Sequence, residues 1–380
     1  METKEKIIKY SLLVSVLAVL VLGGSLIKNT WFVKDLSGTI KIVESLDENT
    51  IATTTIEAKT EQAKVSQDKS AGCENSSYDF DCYYYFYNDL VKKKGLAAAF
   101  TDIKNRYEKN SYVRSQCHPL THVIGRATAK LYPKVSDAYK YGDPLCWSGF
   151  YHGVMEEIVG EIGIDKIKND MDGICDGIPG KERYSFDYYN CVHGLGHGLM
   201  AITENELFES LNYCDYLTGG WEKTSCYGGV FMENVIVDNK NHFTKYLKPK
   251  EPLYPCSAVG QNYKNVCYLM QTSYMLKVTN NDFKKVFDLC RTADAGHELA
   301  CFQSLGRDAS GQSLSNADAT WAKCSLGEGY EEQSNCIVGA VKDFISFYHS
   351  DREVNVLCAI VSSDLQKICL ETASSYYKSL

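Results

Sequence analysis

Five histidines in the middle of the chain have the spacing expected of metal ligands: His118, His122, His152, His193 and His197. Two pairs among them are separated by four residues, which places both rings of a pair on one face of a helix. Glu156 follows His152 at the same spacing and adds a carboxylate. Imidazole and carboxylate groups bind zinc, iron, manganese and copper. The sequence therefore predicts a site for one or two divalent transition-metal ions.

Further polar residues occupy equivalent positions in later segments. When the segments are aligned on their cysteines, Glu233, Arg307 and Lys342 fall at or next to the histidine position. For an enzyme, this set favours metal-assisted hydrolysis, in which a metal-bound water is the nucleophile. Glu156 or Glu233 would then be the general base. Arg307 or Lys342 would stabilise the developing charge.

Other functions remain open at this stage. A redox role for iron or copper is favoured by Met232 at the edge of the histidine group. A non-enzymatic scaffold would bind a peptide, sugar or partner protein on a concave helical surface. The histidines could also be packed core residues or form a metal-free polar pocket. Arg307 and Lys342, each followed by an aspartate, could form a ladder of ion pairs instead of a substrate site.

The later cysteines form an internal repeat of short-range pairs. The predicted disulfides are Cys175–Cys191, Cys214–Cys226, Cys256–Cys267, Cys290–Cys301, Cys324–Cys336 and Cys358–Cys369. The second members of these pairs recur every 33 to 41 residues, a period typical of two-helix repeats. The four earlier cysteines permit three connectivities, of which Cys73–Cys82 with Cys117–Cys146 is favoured.

The repeat predicts a series of helical hairpins. A helical pattern precedes each first cysteine, as in Asp282 to Cys290, and a second helix is expected to begin at each second cysteine. Residues 80–380 thereby resemble disulfide-stapled proteins of the tetratricopeptide and Sel1-like class, although the cysteine spacing is longer than the Sel1-like pattern. The fold class predicted is all-α, with seven or eight hairpins in a solenoid or α/α toroid and the second helices on its concave side.

Glycines are concentrated around the histidines, at Gly149, Gly153, Gly194, Gly196 and Gly198. Each glycine inside a helix costs about 1 kcal/mol relative to alanine, so another interaction must offset this cost. Either neighbouring helices approach closely at these positions or the bare backbone leaves room for a ligand.

The N-terminus predicts export. An apolar run from Tyr10 to Ile27 follows three lysines and is long enough to span a bilayer. We interpret residues 1–27 as an uncleaved signal-anchor, with a cleaved signal peptide as the alternative. Residues 28–78 are then a flexible tether, and residues 79–380 form the cysteine-rich helical domain outside the cell membrane.

Composition supports this assignment. The 380 residues are 44% hydrophobic and 23% charged, which is typical of a folded protein. The 40 basic and 48 acidic side chains give a net charge of −8, which argues against nucleic acid as a partner. The 16 cysteines include no pair spaced as in zinc ribbons or thioredoxins. Disulfides in an oxidising compartment are the remaining explanation.

Overall fold

The chain divides into two units, Met1–Ala71 and Gly72–Leu380, and each is considered separately. The structure is a computed structural model that describes residues 30–34, 40–46, 50–54, 73, 80–236, 244–348 and 350–379. The predicted signal-anchor, residues 1–27, lies outside these ranges. Among the described residues, no helix combines the length and apolar character needed to cross a bilayer.

The first unit contains a three-stranded antiparallel sheet. Its strands are β1 (Thr30–Lys34), β2 (Ile40–Leu46) and β3 (Thr50–Thr54), paired in the order β1-β2-β3. The strands lie within residues 28–78, for which the sequence predicts a flexible tether. The described part of this segment therefore forms a sheet and not a flexible linker. Isoleucine, valine and threonine are frequent in all three strands, and these β-branched residues favour extended backbone. The tether boundaries, 28–78, remain a prediction.

The second unit is all-α in its described residues. Its α-helices are α1 (Phe80–Lys94), α2 (Leu96–Lys109), α3 (Ser111–Ser115), α4 (Cys117–Ala129), α5 (Val135–Tyr139), α6 (Gly149–Ile162), α7 (Ile164–Ile167), α8 (Phe186–Ile202), α9 (Leu207–Cys214), α10 (Gly220–Val235), α11 (Gln261–Val278), α12 (Phe283–Cys290), α13 (Glu298–Gln312), α14 (Ala317–Cys324), α15 (Gly329–Tyr348), α16 (Arg352–Ile360) and α17 (Ser363–Ser379). Two short 3₁₀ helices, Asp172–Cys175 and Lys181–Arg183, lie before α8.

Eight of these helices pack successively against one another, in the order α4, α6, α8, α10, α11, α13, α15 and α17. They correspond to the predicted second helices, but several begin one or two turns before the second cysteine. In α8, for example, the Ser185 hydroxyl accepts a hydrogen bond from the backbone N–H of Tyr188 and caps the helix ahead of Cys191. A serine at this position fixes a helix start more strongly than the cysteine does.

Glycines allow these helices to approach closely. A Cβ added to Gly153 would overlap the carbonyl oxygen of His122, and one added to Gly196 would overlap that of Cys226. At Gly194, the added atom would meet the side chain of Met155. Close helix packing therefore explains the glycines around the histidines. The sequence alone did not distinguish this explanation from a bare backbone that leaves room for a ligand.

Eight disulfides hold the second unit together. They join the pairs predicted from spacing, including Cys73–Cys82 and Cys117–Cys146 among the earlier cysteines. All 16 cysteines of the sequence lie in the described part of the chain and are paired in these bonds. A chain whose cysteines are paired in this way is typical of an extracellular or secreted protein.

Candidate metal centre

The five predicted histidines form one cluster on three consecutive packed helices. Helix α4 carries His118 and His122, α6 carries His152, and α8 carries His193 and His197. The ring centroids of neighbouring members lie 4.3–5.6 Å apart. The register of the helices thus brings together side chains that are up to 79 positions apart in the chain.

Within each pair of histidines that are spaced four positions apart, the Nε2 atoms face each other. The distance between the Nε2 atoms is 3.0 Å for His118 and His122, and 3.4 Å for His193 and His197. Two nitrogen ligands of a tetrahedral ion, each bonded at about 2.0–2.1 Å, lie roughly 3.3 Å apart. Both pairs therefore have the spacing of two ligands on one ion.

The opposite ring nitrogens of three of these histidines are held by acceptors, whereas His193 Nδ1 lies 3.3 Å from the Tyr189 hydroxyl. His118 Nδ1 donates to the carbonyl oxygen of Cys146 at 2.7 Å. His122 Nδ1 contacts Glu156 Oε1 at 2.6 Å, and His197 Nδ1 contacts Glu233 Oε2 at 2.5 Å. Carbonyl and carboxylate oxygens only accept, so each Nδ1 carries the hydrogen and Nε2 keeps its lone pair when the ring is neutral. Metal-binding histidines are oriented in this way.

Glu156 is engaged through both carboxylate oxygens. Oε1 accepts from His122, and Oε2 forms an ion pair with Arg126. Burial opposes ionisation of Glu156, but His122 and Arg126 outweigh burial and hold the pKa of this carboxyl below its usual range. The carboxylate thus stays charged and fixes His122, which favours an orienting role over the predicted general base. Glu233 contacts His197 in the same manner.

The cluster is largely removed from water. His122, His152, His193 and His197 are each no more than 6% exposed. Burial lowers the pKa of His118, His152 and His193 well below the usual histidine value, and the neighbouring imidazoles lower it further. These three rings are therefore neutral at physiological pH, which is the state that binds metal.

His152 has a buried nitrogen that lacks a partner. Its Nδ1 is enclosed and makes no hydrogen bond with the described residues. A buried polar atom of this kind is uncommon because leaving it unpaired costs about 1–3 kcal/mol. The atom lies within the histidine cluster, so a bound ion is one explanation for it.

The ligand atoms fall into three groups that could each hold an ion. Within each group, the ligand atoms all lie within 4.8 Å of one another. The groups are His118 with His122 and His152, His152 with His193 and His197, and His122 with Glu156 and His197. Buried histidine and glutamate side chains of this chain can thus hold a metal ion.

A cavity of about 260 Å³ adjoins the cluster. His152 and His193 line it, together with three charged residues from later helices, Arg307, Lys342 and Asp343. Aromatic and sulfur-containing side chains, including Tyr189 and Met232, add apolar wall. The cavity therefore brings the predicted metal ligands and the predicted charged residues to one space.

The two predicted cations differ in their partners. Arg307 donates to Ser273 Oγ at 2.8 Å and forms an ion pair with Asp308 at 3.0 Å. Lys342 donates to the neutral Gln303 Oε1 at 3.2 Å, and burial lowers the pKa of its amine. Arg307 thus forms the ion pair with its neighbouring aspartate that the ladder requires. Lys342 instead places a positive charge at the cavity, since its partner Gln303 is uncharged.

Several residues of the site were not identified from the sequence. Arg126 lies four positions after His122, and this spacing could have indicated that it shares the face of His122. The sequence indicates Asp343 only as the aspartate that follows Lys342 in the possible ladder of ion pairs. Trp147, whose Nε1 donates to Asp343 Oδ1 at 2.9 Å, carries no sequence signal, because the contact joins residues 196 positions apart.

Comparisons of the chain with protein-family models, with curated proteins and with solved structures gave no significant match. The resemblance to the tetratricopeptide and Sel1-like class therefore rests on architecture alone.

Proposed function

We propose that this is an exported metalloprotein whose histidine cluster binds a divalent transition-metal ion. The observation that carries the proposal is the pairing of His118 with His122 and of His193 with His197 through facing Nε2 atoms. In the first pair, both Nδ1 atoms donate to fixed acceptors, so two lone pairs would face each other at 3.0 Å when the rings are neutral. A cation bound by both nitrogens removes this repulsion.

The packed second helices support a proposal for the architecture. We infer that α4, α6, α8, α10, α11, α13, α15 and α17 form the inner wall of a disulfide-stapled helical-repeat array. The cavity is lined by residues from most of these helices, which suits a concave binding surface. A ligand entering it would reach His152 and His193 first among the histidines.

Metal-assisted hydrolysis is the reaction that this arrangement favours. The ion would supply a bound water of lowered pKa as nucleophile. Lys342 and Arg307 would bind an anionic group of the substrate or stabilise negative charge as it develops. Glu156 and Glu233 would keep His122 and His197 in the tautomer that binds metal.

A redox function is the second candidate. Met232 lines the same cavity as His152 and His193, and a thioether is a ligand that favours copper. A scaffold that binds a peptide, sugar or protein without metal is the alternative from another class.

For localisation, we propose a single-pass membrane protein. The eight disulfides support an extracytoplasmic second unit, and the apolar run Tyr10 to Ile27 would be its anchor. Sedimentation of the expressed chain with membranes, and protease access to the second unit from outside, would support the anchor. A soluble mature chain beginning near residue 26 would contradict it.

The metal content of the purified protein tests the main proposal. We expect the wild-type chain to retain zinc, iron, manganese or copper after dialysis, and His122→Ala and His197→Ala to lose metal while keeping their disulfides. His297→Ala is the matched control, because His297 is also buried but contacts Gln261 and Tyr268 outside the cluster. A wild-type chain that contains no metal and binds none on titration would favour the scaffold.

A further inference from the structure

The cavity beside the histidine cluster combines one lysine amine with a wall that is mainly apolar. Lys342 lines the cavity, and its amine donates to the uncharged Gln303 Oε1 at 3.2 Å. The apolar wall includes Phe186, Tyr189, Leu269, Met270 and Tyr376. Ligand pockets are usually built in this way, from apolar side chains and a few polar groups that fix the ligand's orientation.

Lys342 is the cation of the cavity whose charge is not offset. Burial lowers the pKa of its amine, and no described carboxylate raises that pKa again. Arg307, in contrast, forms an ion pair with Asp308 at 3.0 Å. An anion that entered the cavity would therefore gain most from contact with Lys342.

The size and charge of the cavity limit what it can bind. Its volume of about 260 Å³ is below the roughly 300–1,000 Å³ of pockets for drug-sized molecules, so the ligand is small. Asp343 also lines the cavity and would repel a second negative charge. A monoanion is thus favoured over a phosphate dianion. The apolar wall favours an anion with an apolar body over an inorganic one.

Tyr189 connects this part of the cavity to the histidines. Its ring stacks on that of His193 at a centroid distance of 5.2 Å. Burial and Tyr376 raise the pKa of the Tyr189 hydroxyl, whereas the charge of Arg307 lowers it, so residues of α17 and α13 lie near it. A ligand that fills the cavity would then contact Lys342 at one group and Tyr189 beside His193 at another.

We propose that the cavity binds a small organic carboxylate, with its charge on Lys342 and its apolar body against Tyr189 and the rest of the apolar wall. That this ligand is the substrate of a metal centre rests on the proposed function. The binding itself needs no metal, because neither Lys342 nor Tyr189 is one of the candidate metal ligands. Lys342 is then the residue that determines which charge the ligand carries.

Calorimetric titration with hydrocinnamate, a carboxylate that carries a phenyl group, tests the proposal. The full chain is titrated as purified and again after a chelator has removed any metal. In both forms, we expect hydrocinnamate to bind at least about tenfold more tightly than its uncharged amide, hydrocinnamamide, because a hydrogen bond to a charged group is stronger than one between neutral groups. Inorganic phosphate should bind more weakly than hydrocinnamate.

Lysine variants locate the binding group. Lys342→Met keeps an apolar side chain without the charge and should lose about tenfold or more in affinity for hydrocinnamate, whereas Lys342→Arg should keep most of it. Lys323→Met is the matched control and should bind as the wild type does. Lys323 is also partly buried and donates to a neutral acceptor, Ser313 Oγ at 2.7 Å, but it lies outside the cavity.

The outcomes separate this inference from the proposed metal binding. A chain that binds metal but no hydrocinnamate at millimolar concentration would overturn the carboxylate site alone. A chain that binds hydrocinnamate but no metal would overturn the metalloprotein proposal and leave the site standing. Equal affinity for hydrocinnamate and its amide would overturn the role of Lys342, and this comparison on the wild-type chain decides even if Lys342→Met fails to fold. Tighter binding of phosphate would overturn the organic class of the ligand.

Discussion

Trp147 donates a hydrogen bond from its indole Nε1 to Asp343 Oδ1 at 2.9 Å, across 196 residues of chain. The Trp147 ring also lies 5.3 Å from that of Phe347, one turn further along α15. These contacts join the segment before α6 to a helix near the C-terminus. They bring Asp343 and the adjacent Lys342 to the cavity that His152 and His193 line.

Replacing Trp147 with phenylalanine tests this link. Trp147→Phe removes a hydrogen bond to a buried carboxylate, so we expect the free energy of unfolding to fall by about 2 kcal/mol. Trp321→Phe is the control, since Trp321 is half-buried and packs against the core without adjoining the cavity. Denaturant titration of the metal-free proteins measures both changes. Equal losses in the two variants would contradict a specific role for the bond to Asp343.

Asp343 should make stability depend on pH. Burial raises the pKa of its carboxyl to about 6 in the folded chain, against about 3.9 when unfolded. Between these values the folded state binds more protons, so the free energy of unfolding falls as pH rises through this window, by on the order of 3 kcal/mol. Above about pH 6 the contribution levels off. Asp343→Asn should remove it.

The difference between wild type and Asp343→Asn isolates this contribution, because the histidine cluster is present in both. We expect Asp343→Asn to gain stability relative to wild type as pH rises from about 4 to 7, measured by denaturant titration without metal. A difference that does not change over this range would show that Asp343 is not buried as the structure has it.

Much of the site could be predicted from the sequence because its cysteines and histidines recur at regular spacings. The cysteine period fixed which segments are equivalent, and the four-residue spacing of His118 and His122 fixed their shared helix face. The role of Glu156 could not be obtained in this way. Its distinction from a catalytic base depends on which atoms its two oxygens contact, and spacing along the chain does not encode that. The contact of Trp147 with Asp343 likewise could not be predicted, because it depends on how distant helices pack against one another.

Two glycines should respond in opposite ways to alanine substitution. A Cβ at Gly196 would overlap the carbonyl oxygen of Cys226, so Gly196→Ala must push α8 away from α10 and is expected to cost about 3 kcal/mol or more. Because α8 carries His193 and His197, metal affinity should fall too. Gly160, in α6, has open space around it, and Gly160→Ala should stabilise by about 1 kcal/mol. Similar effects at both positions would contradict close packing as the reason for Gly196.

Removing one disulfide should act locally. The disulfide of Cys290 with Cys301 joins α12 to the start of α13 at a sequence separation of 11. The double substitution to serine should lower the free energy of unfolding by about 2–4 kcal/mol. Hydrogen exchange should increase around α12 and α13, while metal content is retained because the histidines lie on α4, α6 and α8. Non-reducing peptide mapping checks the pairing, and free thiols at these positions in the wild type would contradict it.

Glu156 and its neighbour Glu157 provide a matched test of orientation against catalysis. In Glu156→Gln, an amide cannot satisfy both neighbours, since His122 Nδ1 and Arg126 both donate, and one of them would face the amide N–H. We expect metal affinity, measured by competition with a chelator of known affinity, to fall 10- to 100-fold. Glu157→Gln removes only a 3.5 Å contact with Lys130 and should leave affinity unchanged.

The two roles of Glu156 predict different results. An orienting carboxylate loses metal affinity on substitution, and any hydrolytic activity is restored at saturating metal. A general base keeps its metal affinity on substitution and loses activity that added metal does not restore. Because both oxygens of Glu156 are bonded within the protein, the first result is expected. The second would return Glu156 to the general-base role predicted from the sequence.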